Sequence, residues 1–230
     1  MIQLNRSIGE LKCIFDTSVQ NDYYVFIREQ EGGNEVRKSG RPREFKDTAV
    51  IDSAMELFWE TGYEACSTED LCKQTGLGRG SLYNAYGSKH ELYEQALLHY
   101  HEIGIQAQIE ILQGQGPIKD RLRALLDWAI QEDFANENRR GCLLINAAME
   151  RAQRDPLVER LFKRHVDLLE QALQQAIETG QMSGEISRTH QASDLVHLFL
   201  GNYYGLRVLN AAQNRERAVQ MAKATLEIVF

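Results

Sequence analysis

The side chains with the clearest chemical use lie between residues 67 and 91. This segment reads STEDLCKQTGLGRGSLYNAYGSKHE and carries no carboxylate between Thr75 and His90. Its hydroxyl, amide and cationic groups can donate hydrogen bonds to phosphate oxygens and to the edges of bases. Groups of these types are suited to binding a nucleic acid.

Two short helices are predicted to position these groups. Ser67 is a favourable N-cap with Asp70 as a capping-box partner, Gly76 ends the first helix, and the second runs over residues 79–86. Three leucines are expected to fix the crossing of the two helices: Leu71, Leu77 and Leu82. Helix, glycine turn and helix form the helix-turn-helix arrangement, whose second helix enters the major groove of DNA.

The predicted contacts divide into base readers and phosphate binders. Because the second helix has only about two turns, few of its side chains can reach a base edge. The candidates for contacts to base edges are Arg79, Ser81 and Asn84, and the small Gly80 allows the helix to approach the DNA closely. The candidates for contacts to phosphates are Ser67, Thr68, Tyr83 and Lys89. Ser67 is primarily a cap, and Tyr86 is predicted to seal the core.

The segment GRPREFKDTAVIDSAMELFWETGYEACSTEDLCKQTGLGRGSLYNAYGSKHELYEQAL, at residues 40–97, closely resembles the N-terminal domain of TetR-family transcriptional regulators. It is most similar to the subgroup with a GRP leader, a GYEATS-like motif and a later GC-[LF] motif. The resemblance implies phosphate contacts at Thr68, Ser81, Tyr83 and Lys89, and base contacts at Arg79, Gly80 and Asn84. It also implies a homodimer on a palindromic operator, usually a repressor, released by a small molecule. Gly78 departs from the usual polar cap and is expected to loosen the second helix in the absence of DNA.

Net charge is the main argument against DNA binding. The chain carries a formal charge of −7, and no long segment is basic as a whole. A short arm at residues 37–46, with Arg43, holds five cations against one carboxylate. Since salt screens charges beyond about 8–10 Å, local charge matters more than the total. The arm either reaches a minor groove or is a solvated leader.

Residues 1–36 show no sustained periodicity and are predicted to be a poorly ordered extension. Because the family resemblance begins just after them, we expect translation to start at Val36. The proposed domains are the DNA-binding domain at 37–95, with its helix-turn-helix at 67–86, and a ligand-binding and dimerisation domain at 96–230.

From residue 37 onward the pattern predicts an all-α fold of about nine helices. A first helix is expected from Asp47 to Thr61, and a fourth opens with a capping box at Ser88 and Glu91. Later helices are predicted at 117–134, 141–153, 156–180, 189–212 and 215–229. Their expected boundary residues are Pro117, Pro156, Gly180, Gly184, Thr189 and Asn214.

The segment 192–212 is apolar almost all round, so its helix must be buried on two sides. One side can face the chain's own core and the other a partner subunit. A two-fold dimer through the last two helices would set two half-sites about one DNA turn, ~34 Å, apart. The predicted interface residues are Leu198, Gly201, Tyr204, Gly205 and Leu226.

A ligand cavity is expected among the helices of the C-terminal half. Its candidate lining residues, each of which is also compatible with core packing, are Trp128, Cys142, Asn146, Met149, Phe162 and His165. Cys142 follows two arginines near a predicted helix start, which would favour a reactive thiolate. The alternative is a cysteine that packs as a small hydrophobe.

Three classes of protein remain open. The first is a one-component transcriptional regulator in the cytoplasm, with double-stranded DNA and an unidentified effector as partners. The second is an all-helical enzyme or carrier, although the sequence shows no nucleophile elbow, phosphate loop or HExxH motif. The third is an interaction module that no longer binds DNA. No metal, cofactor or membrane span is predicted, and the four cysteines lack CxxC spacing.

Overall fold

The computed structural model of the protein describes residues 44–135 and 140–230. The predicted extension at 1–36, the start at Val36 and the arm residue Arg43 lie outside the described residues. The same is true of Arg139, one of the two arginines expected to act on Cys142.

The described residues contain helices and no strand, which confirms the predicted all-α fold. The nine helices are α1 (Glu44–Thr61), α2 (Thr68–Thr75), α3 (Arg79–Tyr86), α4 (Lys89–Gln113), α5 (Ile118–Asp133), α6 (Leu143–Arg151), α7 (Pro156–Ser183), α8 (Ala192–Leu209) and α9 (Arg215–Val229). Within the described ranges, no helix is both long and apolar enough to span a membrane.

The helix-turn-helix forms as predicted. The Ser67 side chain and that of Asp70 make a reciprocal capping box at the start of α2, and Gly76 ends α2 in the left-handed conformation. Leu71, Leu82 and Tyr86 are buried, whereas Leu77 is only half-buried. Gly78 precedes α3 and offers no side-chain cap.

The start of α4 depends on a glycine. Ser88 Oγ accepts a hydrogen bond from the Glu91 N–H at 3.1 Å, while the Ser88 N–H donates to the Tyr86 carbonyl at 3.0 Å. The predicted reciprocal bond from Glu91 is therefore not made. Its carboxylate lies over Gly87, where an added Cβ would come within 2.0 Å of Glu91 Oε2. Since Gly87 also has a φ of 77°, only glycine fits there.

Helices α4 to α9 form a bundle around one apolar core. Helix α7 packs along α4 and α8, and α9 packs against α5 and α8. Leu122, Phe199 and Tyr203 are fully buried at the centre of this core. Helix α4 belongs to both halves, since it begins beside the helix-turn-helix and continues into the bundle. The boundary at residue 95 stays a prediction.

Several helix boundaries differ from those predicted. Helix α1 begins at Glu44, three residues before Asp47, and Pro117 is the N-cap of α5 where a first helical residue was expected. Helix α8 begins after Gln191, because Thr189 bonds to Ser187 within the preceding loop. Asn214 caps α9 as predicted.

Gly180 was predicted to end its helix and begin a loop, but it is buried inside α7, which continues to Ser183 and is capped by Gly184. Its missing side chain makes room for Ile186, since an added Cβ would lie 2.7 Å from Ile186 Cδ1. Glycine at this position therefore serves close packing, and the left-handed turn falls four residues later.

We expect Gly180→Ala to lower the free energy of unfolding by about 1–3 kcal/mol, because the methyl group overpacks a buried contact. Gly104→Ala is the matched control within α4: its Cβ would meet only Gln108 Nε2, at 3.7 Å. This control should gain up to about 1 kcal/mol from helix propensity. Urea unfolding measures both, and equal effects would contradict the packing role of Gly180.

Candidate nucleic-acid interface and effector region

Helix α3 presents a small exposed face. Arg79, Gly80, Ser81 and Asn84 are all exposed, while Leu82 and Tyr86 hold the other side of the helix in the core. An added Cβ at Gly80 would meet no atom within 4 Å, so its side of the helix is open. The structure thus brings the predicted base-reading residues together on one accessible surface.

The hydroxyl groups of two predicted phosphate binders join α2 to α3. Thr68 Oγ1 and the Tyr83 hydroxyl lie 2.8 Å apart and share a hydrogen bond. The Arg79 guanidinium carbon lies 5.7 Å from the centroid of the Tyr83 ring, a cation–π distance. These contacts fix the two side chains before any ligand arrives.

Ser67 is already occupied as a cap. Its hydroxyl accepts from the Asp70 N–H at 3.1 Å and donates to Asp70 Oδ2 at 2.5 Å. These hydrogen bonds from Ser67 hold the pKa of the Asp70 carboxyl below its usual value. A carboxylate therefore stands at the start of α2, where a phosphate contact through Ser67 was predicted.

Lys89 lies on the flank of this surface. Its Nζ is 4.2 Å from the centroid of the Tyr63 ring, within cation–π distance. Tyr63 follows α1, and its ring also packs on Tyr93 with centroids 4.8 Å apart. Burial raises the pKa of the Tyr63 phenol, with a smaller opposing effect from Arg151.

Cys142 is the N-cap of α6 and is only 3% exposed. The Tyr100 hydroxyl donates a hydrogen bond to its Sγ at 3.5 Å. Arg140, which was expected to activate the thiol, instead pairs with Glu56 Oε2 at 2.5 Å. This environment favours the interpretation of Cys142 as a packed residue.

His165, a predicted pocket residue, forms a buried pair with His101. Their Nδ1 atoms lie 3.1 Å apart, so one ring donates and the other accepts. Burial, with help from Arg164, lowers the pKa of His101 to about 4. Burial, together with His101 and Arg207, lowers the pKa of His165 to about 3. Both rings are therefore neutral near pH 7.

Phe162 contacts Tyr204, which was predicted for the dimer interface. The two ring centroids lie 6.0 Å apart, and Tyr204 also packs on Tyr203 at 5.5 Å. The Tyr204 hydroxyl is buried and makes no hydrogen bond to the described residues. Burial, then Tyr203 and Cys142, raise the pKa of Tyr204, so its hydroxyl stays protonated. The structure therefore places Tyr204 on the inner side of α8, with the predicted pocket residues.

The remaining predicted pocket residues are spread apart. The Trp128 ring lies 5.4 Å from the Arg207 guanidinium carbon and packs on the core. Asn146 is exposed and donates from Nδ2 to the Arg140 carbonyl at 2.8 Å. Met149 is 80% exposed, because it lies on the outer side of α6. Asn146 and Met149 therefore face away from the buried pair of histidines.

Sequence reasoning missed a buried ion pair between α5 and α8 of the bundle. Arg207 Nη2 bonds Asp133 Oδ1 at 2.7 Å, and Asn210 Nδ2 donates to Asp133 Oδ2 at 2.8 Å. Burial disfavours the charged guanidinium, but Cys142 and Asp133 favour it and raise the pKa of Arg207. The available signal was Arg207, a charged residue near the end of the largely apolar α8; Asp133 ends a helix with several other charged residues and did not stand out.

The predicted dimer residues divide between two environments. Leu198, Gly201 and Gly205 lie on the outer side of α8, and neither glycine Cβ would meet an atom within 4 Å. Leu226 is only 5% exposed and belongs to the chain's own core. The outer surface of α8 and α9 also carries four exposed apolar residues that were not predicted: Val208, Leu209, Val219 and Ile228.

Helix α3 is an exposed helix of two turns that follows a glycine turn, and α4 continues from it into an apolar bundle. This is the arrangement of a helix-turn-helix DNA-binding regulator. Comparison with known proteins agrees. Residues 50–96 match the family described as bacterial regulatory proteins, tetR family, and residues 119–226 match the tetracyclin repressor-like C-terminal domain. A transcriptional regulator of Bacillus subtilis, YezE, is 35% identical over 150 residues, covering 64% of this chain and 77% of that protein. The chain belongs to the TetR family of transcriptional regulators.

Other comparisons agree, ComR in sequence and two solved structures in fold. The Escherichia coli repressor ComR is 29% identical over 202 residues, covering 84% of this chain and 93% of ComR. A cysteine mutant of the regulator CifR, solved with a 26-base-pair operator DNA, shares the fold at a TM-score of 0.72 and 24% identity, covering 83% of this chain and 100% of that one. Bacillus subtilis FadR, solved with stearoyl-CoA, has a TM-score of 0.63 at 18% identity, covering 80% and 97%.

The buried histidine pair predicts a pH dependence of stability. Both rings stay neutral in the folded chain to about pH 4, whereas unfolded histidine binds a proton near pH 6.5. Protons therefore favour the unfolded chain, and stability should fall as pH drops from 6.5 towards 4.

The measurement compares free energies of unfolding at pH 6.5 and pH 5. A double variant, His101→Leu with His165→Leu, should lose less stability over this interval than the natural chain. His190→Gln, at an exposed histidine, is the control and should keep the natural slope. Identical slopes in the double variant and the natural chain would contradict neutral burial of the pair.

Proposed function

We propose that this protein is a homodimeric repressor that binds a palindromic operator in the cytoplasm and releases it when a small molecule binds. The observation that carries the proposal is the exposed face of α3. Arg79, Ser81 and Asn84 share that face, no carboxylate lies between Thr75 and His90, and Lys89 lies on its flank.

Base reading and phosphate binding fall to different side chains in this proposal. Arg79 and Asn84 carry groups that can make paired hydrogen bonds to guanine and adenine. Thr68, Tyr83 and Lys89 border the same surface and suit phosphate oxygens, which position the protein without reading sequence. The prior bond between Thr68 and Tyr83 lowers the ordering cost of forming these contacts.

Dimerisation is proposed through the outer surface of α8 and α9. A contiguous apolar surface on a monomer commonly marks a protein contact. Here Leu198 and Val208 flank two glycines whose open surroundings let a second backbone approach closely. Two copies related by a two-fold axis would present two α3 helices to successive turns of one side of DNA.

The effector is proposed to bind beside Phe162, His165 and Tyr204. A buried hydroxyl without a partner is costly, and Tyr204 supplies one for a polar atom of a ligand. The surrounding rings would hold an apolar body. Helix α4 contacts this region and also begins beside α3, so its displacement would change the separation of the two α3 helices.

Repression is proposed as the direction of control. The Escherichia coli relatives ComR and BdcR are both named transcriptional repressors. A bound dimer on an operator blocks transcription without further machinery, and a separation change of an ångström or two would release it.

We expect Lys89→Ala and Asn84→Ala to change DNA binding in different ways. Lys89→Ala should weaken binding to all DNA sequences similarly and reduce the slope of log affinity against log salt by about one. Asn84→Ala should keep that slope and change the preference between operator variants by about 1–3 kcal/mol.

Fluorescence anisotropy on the DNA beside the protein's own gene, at several salt concentrations, measures both effects. Arg217→Ala, at an exposed cation on α9, is the control and should leave affinity and slope unchanged. If the unaltered protein binds this DNA only weakly and without sequence preference, the proposed function fails.

A charge introduced on the outer surface of α8 tests the dimer proposal. Leu198→Glu should shift the protein to monomer at concentrations where the natural chain is dimeric, because it buries an unpaired carboxylate. Met182→Glu alters a more exposed apolar residue at the end of α7, 72% exposed against 38% for Leu198, and should leave the dimer intact. Sedimentation velocity distinguishes the outcomes, and a dimeric Leu198→Glu variant would overturn the assignment of this surface.

A further inference from the structure

The end of α6 is tied to the turn that follows α1. The Glu150 carboxylate accepts hydrogen bonds from the Tyr63 N–H at 3.0 Å and from the Glu64 N–H at 2.9 Å. In the sequence, Tyr63 and Glu64 lie 87 and 86 positions before Glu150. One side chain of the effector region therefore binds two successive backbone groups beside the DNA-binding helices.

The turn is shaped to receive a carboxylate. Gly62 has a φ of 76°, and successive N–H groups after a left-handed residue form a concave anion site. A Cβ on Gly62 would lie 3.3 Å from both Glu150 carboxylate oxygens, so glycine also leaves them room. The backbone of the turn and the Glu150 side chain thus fit each other.

Arg151 holds the side chain of the same turn. Its guanidinium carbon lies 3.9 Å from the centroid of the Tyr63 ring. It forms an ion pair with Glu64 and another with Asp155 Oδ2 at 3.3 Å. Asp155 is buried and accepts from two N–H groups at the start of α7, so Arg151 is anchored to the bundle.

Tyr63 carries this contact to the DNA-binding surface. Its backbone N–H is bound by Glu150 and its ring lies against Arg151, while Lys89 Nζ lies 4.2 Å from that same ring. A predicted phosphate binder therefore contacts a residue that α6 holds at two points.

The other end of α6 is also attached to α1. Trp59 Nε1 donates to the Gly141 carbonyl at 3.0 Å, and Arg140 Nη1 donates to Glu56 Oε2 at 2.5 Å. Helix α6 has nine residues and begins directly after the buried Cys142. Hydrogen bonds therefore join both ends of α6 to α1 or to the turn that follows it.

We propose that Glu150 and Arg151 are positioning residues for DNA binding. They fix the turn at Gly62–Glu64, and through Tyr63 they place Lys89 for a phosphate. This inference rests on the proposed function and adds two residues that act on DNA binding through Lys89.

The first test is the variant Glu150→Gln. The amide keeps one acceptor oxygen, but its NH₂ faces the second N–H donor and the negative charge is lost. Because the bonds at Glu150 are partly exposed to solvent, we expect a moderate loss, about tenfold in affinity for the promoter DNA. Glu178→Gln is the matched control, at an exposed glutamate of α7 that accepts only from Gln174 among the bonds described, and should bind within twofold of the natural chain.

Two further readouts separate positioning from a general effect on folding. Hydrogen exchange should become faster at the amides of Tyr63 and Glu64 in Glu150→Gln and stay unchanged in the control. Arg151→Gln should likewise weaken DNA binding. Its thermal unfolding midpoint should be unchanged, and the amides of Leu71 and Leu82 in the helix-turn-helix core should stay protected from exchange.

A double-mutant cycle with Lys89 decides the route. If Glu150 acts through Tyr63 on Lys89, then Glu150→Gln should cost less than twofold in affinity once Lys89 is alanine. Additive losses would overturn the proposal, as would unchanged DNA affinity in a Glu150→Gln variant whose turn amides exchange faster. If the natural chain binds no specific DNA, the proposed function fails instead, and the amide exchange still reports whether Glu150 holds the turn.

Discussion

A helix of eight residues has too few hydrogen bonds to be stable alone in water, so the surface formed by α3 depends on what holds α3 in place. Gly78 supplies no side-chain cap, which removes one of the usual local supports. Burial of Leu82 and Tyr86 and the bond between Thr68 and Tyr83 replace it. The geometry of the DNA-binding surface is therefore a property of its neighbours, and a signal that displaces those neighbours displaces the surface.

The neighbours are themselves joined to the bundle in two ways. Helix α4 is covalently continuous from the helix-turn-helix into the core, so it transmits rotation and translation along its axis. Helix α6 is joined to α1 by side chains only, through Trp59 at one end and Glu150 at the other. The Trp59 bond is buried, but the bonds at Glu150 are exposed to solvent and can be made or broken at modest cost. Such contacts suit a connection that a ligand has to switch.

The sequence predicted the helix-turn-helix closely because its signals are local. Ser67, Asp70 and Gly76 act within one turn of their own helix, and α3 begins and ends where the pattern indicated. The misplaced boundaries had a tertiary cause or a local competitor. Gly180 resembles a helix stop in sequence, but the approach of Ile186 makes it a packing position. Thr189 resembles an N-cap, but its bond to Ser187 belongs to the loop.

The effector region was harder to predict because its important contacts join distant residues. Neither Asp133 with Arg207 nor His101 with His165 has a spacing that indicates pairing, and for the two histidines burial decides the protonation state. Tyr204 shows the limit most clearly, since on an all-round apolar helix nothing local tells which residues face inward. Side chains on the outer side of α8 become buried only in a complex, whereas the Tyr204 hydroxyl is already buried within the chain. An unpaired hydroxyl in that position is tolerable if a ligand supplies the missing hydrogen bond, which is why the inner side of α8 is the site proposed for the effector.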